Sequence, residues 1–172
     1  KLVGKRMARL DTVDKTTGKQ IYGADLQLPG MLNASIRACP VFGGKVRSFD
    51  AAKVAGLPGV KKVVKVGDNA VAVVADTWWR AHQAVTALPI DWDVGPNAAV
   101  QQAGFNATLK SGLDAEQAAV GNSNGDVKQA LASAARKIEA VYAYPHQNHA
   151  TMEPMNATAK WTADRCEVWT PT

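Results

Sequence analysis

The sequence predicts an α+β domain, and three stretches carry that prediction. GVKKVVKV at 59–66 and AVAVVA at 70–75 flank a Gly67-Asp68-Asn69 turn, the pattern of two strands joined as a β-hairpin. WWRAHQAVTA at 78–87 puts Trp78, Ala81, Val85 and the following Leu88 on one stripe at helical spacing. MLNASIRA at 31–38 alternates Leu32, Ala34, Ile36 and Ala38 against Asn33, Ser35 and Arg37, which reads as a half-buried strand with the apolar set inward.

Taken in order, residues 1–20 are polar and read as extended, with a TTGK turn at 16–19. Leu28-Pro29-Gly30 is a turn, with proline fixing one backbone angle and glycine following. After the strand at 31–38, Gly43-Gly44 breaks the pattern. Asp50 then offers its carboxylate as the N-cap of a short helix, Ala51–Ala55, which Gly56 ends. Asp76 or Thr77 caps the helix at 78–87, Pro89 closes it, and Ile90-Asp91-Trp92-Asp93 is a further strand.

From Gly95 the composition shifts to Ala, Gly, Asn and Gln, and residues 95–125 read as an exposed connector with a weak helix near 98–111. Asp126 caps a helix running to Ala135, and KIEAVYAY at 137–144 reads as a strand. Met155–Trp161 and Arg165–Trp169 form a second hairpin around Ala163-Asp164.

The 172 residues carry a net charge of +5, but the basic side chains are scattered and do not interleave with aromatics. That pattern argues against a nucleic-acid partner. Cys39 and Cys166 have no zinc-ligand spacing and read as two separate thiols. No run approaches the ~20 apolar residues of a membrane span.

The richest stretch for chemistry is 141–172, which holds His146, His149, Glu153 and Cys166. His146 and His149 are three apart, and on a strand that spacing turns the rings to opposite faces, so no metal site is expected. Glu153, held by Pro154, suits a general base if buried. With no second carboxylate to tune it, its favoured role is to satisfy backbone N–H groups at a junction. Asp91 and Asp93 share a strand face, and Trp78-Trp79 is a hydrophobic anchor beside a surface ring. Gly43-Gly44-Lys45 lacks the remainder of a phosphate loop. The residues on their own therefore name no catalytic group and no metal ligand.

Four blocks taken together resemble a known family: DKTTGKQIYGADLQLPGML (14–32), CPVFGGKVRSFD (39–50), GVKKVV with AVAVVADTWWRA (59–81) and HATMEPMNATA (149–159). They are similar to the molybdopterin-binding large subunits of the xanthine dehydrogenase/aldehyde oxidase family, in particular those like the large chain of isoquinoline 1-oxidoreductase. The resemblance implies an N-terminal extension at 1–14, an α/β-hammerhead domain at 15–94 and a connector with helices at 95–134. It also implies that 135–172 opens the first molybdopterin-binding domain, and that the chain is cut at Thr172.

The implied activity of the full-length parent is hydroxylation of aldehydes or N-heterocycles with oxygen from water. The implied cofactor is molybdopterin cytosine dinucleotide. Implied partners are the remaining molybdopterin-binding domains, a [2Fe–2S] small subunit and a cytochrome c. The setting is bacterial, periplasmic or cytoplasmic, with the periplasm favoured. His149, Glu153 and Pro154 match the family's HAxMEP stretch, so His149 and Glu153 are candidates near the cofactor domain, neither being the catalytic base. The family's catalytic glutamate and its cofactor loops match nothing in this chain, which alone is expected to hold no cofactor and to be inactive. In that setting Trp79 and the 95–125 connector are candidates for docking against the other domains. Two other readings compete. One is a self-standing interaction domain using Trp78, Trp79 and the basic hairpin, and the other a small metal enzyme built on His146, His149 and Glu153.

Overall fold

The β4 segment, Ala70–Ala75, is the centre of the 31–140 unit: five of its six residues are buried, as expected for an apolar run covered on both faces. The computed structural model describes residues 2–171. Its elements run α1 (Thr12–Thr17), β1 (Asn33–Ala38), β2 (Lys45–Phe49), α2 (Ala52–Ala55), β3 (Val60–Val66), β4 and α3 (Trp78–Ala87). They continue with β5 (Ile90–Asp93), α4 (Gln102–Gly112), α5 (Val127–Ser133), β6 (Thr158–Trp161) and β7 (Cys166–Trp169). The chain divides into two units, residues 31–140 and residues 1–30 with 141–172. Among the described residues no helix is long and apolar enough to cross a membrane.

In the 31–140 unit, β4 pairs antiparallel with β1 on one side and β3 on the other. Gly67, at φ 56°, makes the hairpin turn that the Gly-Asp-Asn sequence predicts. Val71 and Val73, fully buried, meet Ala84, Val85 and Leu88 of the α3 region, and Val54 of α2 completes the cluster. Burial of each such Val or Leu stabilises the fold by about 1.5–3 kcal/mol. Thr77 caps α3 as predicted, its hydroxyl accepting from Arg80 N at 3.3 Å. β2 and β5 form a separate antiparallel ribbon that presents Val46, Ile90 and Trp92 to the same core.

Four expectations are corrected. The first concerns β1, which lies with the opposite face inward. Ser35 is paired with Val73, on the α3 side, and is buried, while Ile36 is 59% exposed. Register decides this, since a one-residue offset exchanges the two faces of a strand. The buried hydroxyl of Ser35 lies 3.4 Å from His82 Nδ1. The second concerns α3, whose core stripe is Ala81, Ala84, Val85 and Leu88. Trp78 is instead half-exposed on the first turn and stacks on His82 with ring centroids 4.9 Å apart.

Third, residues 137–144 are not a strand but irregular, with Ile138, Val141, Tyr142 and Tyr144 exposed. An isolated strand has no partner for its backbone groups, whatever its side-chain pattern. Fourth, α1 stands where extended chain was expected. Its first turn is tied by Asp11 to Lys15, 2.6 Å apart at i,i+4, and it ends on Gly18 in the left-handed region.

α4 and α5 carry no buried residue, consistent with an exposed connector. Asp126 caps α5 as predicted, accepting from Gln129 N at 2.9 Å. In the other unit, β6 and β7 form the expected hairpin, with Lys160 opposite Glu167. Thr162 closes its turn, its N–H donating to Arg165 O at 2.8 Å and its hydroxyl to Asp164 at 2.8 Å.

Candidate functional site

The 1–30/141–172 unit contains an open cleft of about 760 Å³, lined on one side by residues of 11–26 and on the other by Glu153 and residues 168–171. On its lining Glu153, half-buried, accepts a hydrogen bond through Oε1 from the backbone N–H of Gly23 at 3.0 Å. The segment bearing Glu153 is held by its own local bonds. The Thr151 hydroxyl donates to Glu153 O at 2.7 Å, and Asn156 Nδ2 donates to Pro154 O at 2.8 Å. Pro154 restricts the backbone of the preceding glutamate as well as its own. Opposite, Tyr22 N donates to the Asp25 carboxylate at 2.9 Å, which shapes the 3-10 turn Gly23–Asp25.

Gly23 packs closely against the Asn156 side chain. A Cβ there would lie 2.7 Å from Asn156 Oδ1 and 3.3 Å from Pro171 Cδ. The two segments thus meet backbone to side chain, with no space for even a methyl group unless Asn156 moves. A carboxylate accepting from a backbone N–H, beside a glycine that permits close approach, ties the two segments together. This is the role that the isolated Glu153 suggested.

Asp11, also on the cleft lining, pairs with Lys15 and with Arg9, the latter at 3.1 Å. These two cations, Lys15 foremost, hold the Asp11 carboxyl at about 2, below its usual 3.8. The three side chains lie at the surface, so salt screens the interaction.

The other candidates lie apart. His146 and His149 are exposed on irregular chain, and Cys166 is exposed on β7. Cys39 is half-buried in the 31–140 unit, and both thiols are free. Asp91 is paired with Arg47 at 3.3 Å, and Asp93 accepts from Gly95 N at 3.1 Å, so that pair serves local structure. Trp79 is 62% exposed. Gly23 and Asn156 went unnoticed in the sequence. The one local signal is a glycine directly after the apolar pair Ile21-Tyr22.

Among the described residues, no group of three or more His, Cys, Asp or Glu side chains is placed to hold a metal ion.

Comparison with known proteins places these features in a family context. Residues 113–172 match the molybdopterin cofactor-binding domain family. The whole chain aligns with a nicotinate dehydrogenase subunit from Pseudomonas putida at 30% identity, covering 15% of that protein. It also aligns over its whole length with the beta chain of isoquinoline 1-oxidoreductase from Brevundimonas diminuta at 28% identity, covering 23% of that protein. In fold, 99% of the chain superposes on 27% of the quinoline 2-oxidoreductase chain of Pseudomonas putida 86, with a TM-score of 0.63 and 22% identity. The chain thus spans less than a third of these relatives. The resemblance to molybdopterin-binding large subunits, drawn from four sequence blocks, is borne out, and the α+β fold class with it.

Proposed function

We propose that this chain is a portion of the molybdenum-binding large subunit of a hydroxylase that acts on N-heterocycles or aldehydes and takes its oxygen from water. The observation that supports this most strongly is the alignment of the whole chain with the nicotinate dehydrogenase and isoquinoline 1-oxidoreductase chains, joined to the cofactor-domain match at 113–172. In this reading residues 15–94 are the hammerhead domain, 1–14 an extension before it, 95–134 a connector, and 135–172 the opening of the first cofactor domain.

The cofactor is molybdopterin cytosine dinucleotide, which when bound supplies the redox chemistry of the hydroxylation. The contribution of this chain is to build and position the wall of the site. Glu153 fixes the Met152–Asn156 stretch against Gly23, and His149 lies four residues before it, on the approach to the cofactor domain. Electrons pass to a [2Fe–2S] small subunit and onward to a cytochrome c, in the periplasm of a bacterium. This chain alone is inactive.

The test is an assay of the full-length polypeptide with its small subunit on heteroaromatic carboxylates, quinolines and aromatic aldehydes in isotopically labelled water. Label in the hydroxylated product is the expected result. A hydroxylated product without label, its oxygen drawn from dioxygen, overturns the reading.

A further inference from the structure

We infer that Asn124 is a site of spontaneous covalent modification, at which the side-chain amide is lost through a cyclic imide and aspartate or isoaspartate takes its place.

The first argument is chemical. Asn124 is the only asparagine of the chain that is followed by glycine; the others precede alanine, serine or histidine. In the reaction the backbone nitrogen of Gly125 attacks Asn124 Cγ. The new C–N bond closes a five-membered ring, the N–H proton passes to water, and the side-chain nitrogen leaves as ammonia. Water then opens the ring at either carbonyl. One opening gives aspartate, and the other gives isoaspartate, whose backbone runs through the former side chain. A side chain on the following residue crowds the attacking nitrogen and restricts the backbone rotation that the attack needs, and glycine does neither.

The second argument is structural. Residues 121–125 lie between α4 and α5 and are all exposed, and among the described residues none of the five takes part in a hydrogen bond or ion pair. No atom comes within 4 Å of the place where a Cβ would stand on Gly121 or Gly125, so the ring has room to form. Other asparagine amides are held: Asn33 donates to Asp76 O at 3.2 Å, Asn97 to Phe42 O at 2.9 Å and Asn156 to Pro154 O at 2.8 Å. The amide of Asn124 is not. The product brings a new carboxylate two residues before Asp126, the cap of α5, and lowers the net charge of +5 by one unit. No buried contact is broken, because residues 113–140 are exposed throughout.

The experiment incubates the full-length polypeptide in isotopically labelled water beside a synthetic peptide of residues 118–128, which sets the rate of the unprotected sequence. Peptide mass spectrometry locates the label, and isoaspartyl methyltransferase identifies the isoaspartate. The expected rate at Asn124 in the protein lies within about tenfold of the peptide, as an unprotected loop demands. Gly125→Ala is expected to slow it at least about tenfold in both, because the added methyl group crowds the nitrogen. A rate in the protein further below that of the peptide overturns the proposal. So does an unchanged rate in Gly125→Ala, or labelling at Asn122 as fast as at Asn124.

Discussion

The carboxylate of Glu153 accepts a hydrogen bond from the backbone N–H of Gly23, 3.0 Å away and 130 residues earlier in the chain. It joins the turn after α1 to the Met-Glu-Pro-Met-Asn stretch. Glu153→Ala leaves that N–H without its charged partner and is expected to destabilise the 1–30/141–172 unit by about 1–2 kcal/mol, the low end for a charged hydrogen bond because Glu153 is only half-buried. Glu153→Gln keeps an acceptor and costs less. Urea unfolding of the three proteins measures the difference, and an alanine variant as stable as the parent contradicts the tie.

Gly23→Ala is expected to cost about 1–3 kcal/mol, because the new methyl group meets Asn156 Oδ1 and Pro171. Asn156→Gly removes the nearer obstacle, so the double variant recovers part of the loss. A coupling above about 0.5 kcal/mol in the double-mutant cycle confirms the contact, and strict additivity contradicts it.

Asp11 gives the unit a sensitivity to acid. Its carboxyl is held at about 2 in the folded chain against an ordinary 3.8, so the folded state favours the charged form. The stabilisation is complete above the ordinary value and is lost as pH falls through the window from 3.8 to about 2. Concentrated salt weakens it, since the group is exposed. Asp11→Asn is expected to flatten the acid limb of a pH-dependent unfolding curve and remove its salt dependence. An unchanged acid limb contradicts the pairing with Lys15 and Arg9.

The inverted face of β1 separates two substitutions that the sequence pattern would rank together. Leu88, 2% exposed, fills the core, and Leu88→Ala is expected to cost about 2–5 kcal/mol. Ile36→Ala in the 172-residue chain stays within about 0.5 kcal/mol, because Ile36 faces water there. A large loss at Ile36 in chemical denaturation contradicts the observed register.

What the sequence shows and what it hides follow from the range of the interactions. The β3–β4 hairpin, α3 with its Thr77 cap, α5 with its Asp126 cap and the β6–β7 hairpin all rest on neighbours within a few residues, and all were legible. β2 was not read as a strand. KVRSF has apolar residues only at Val46 and Phe49, and its partner β5 lies beyond α3. The burial of Ser35 is equally hidden, because a strand's own alternation cannot state which face its partner will bury. At the site, the isolation of Glu153 suggested a structural role and the structure supplies its partner. Gly23 and Asn156 were missed because their contact joins segments far apart in the chain.

The most direct test of the functional reading is molybdenum content. The full-length polypeptide and the 172-residue chain are produced in the same cofactor-competent bacterial host, and bound metal is measured by inductively coupled plasma mass spectrometry. The reading predicts molybdenum in stoichiometric amount in the full-length protein and none above background in the short chain. Stoichiometric molybdenum in the short chain, or none in the full-length protein, contradicts it.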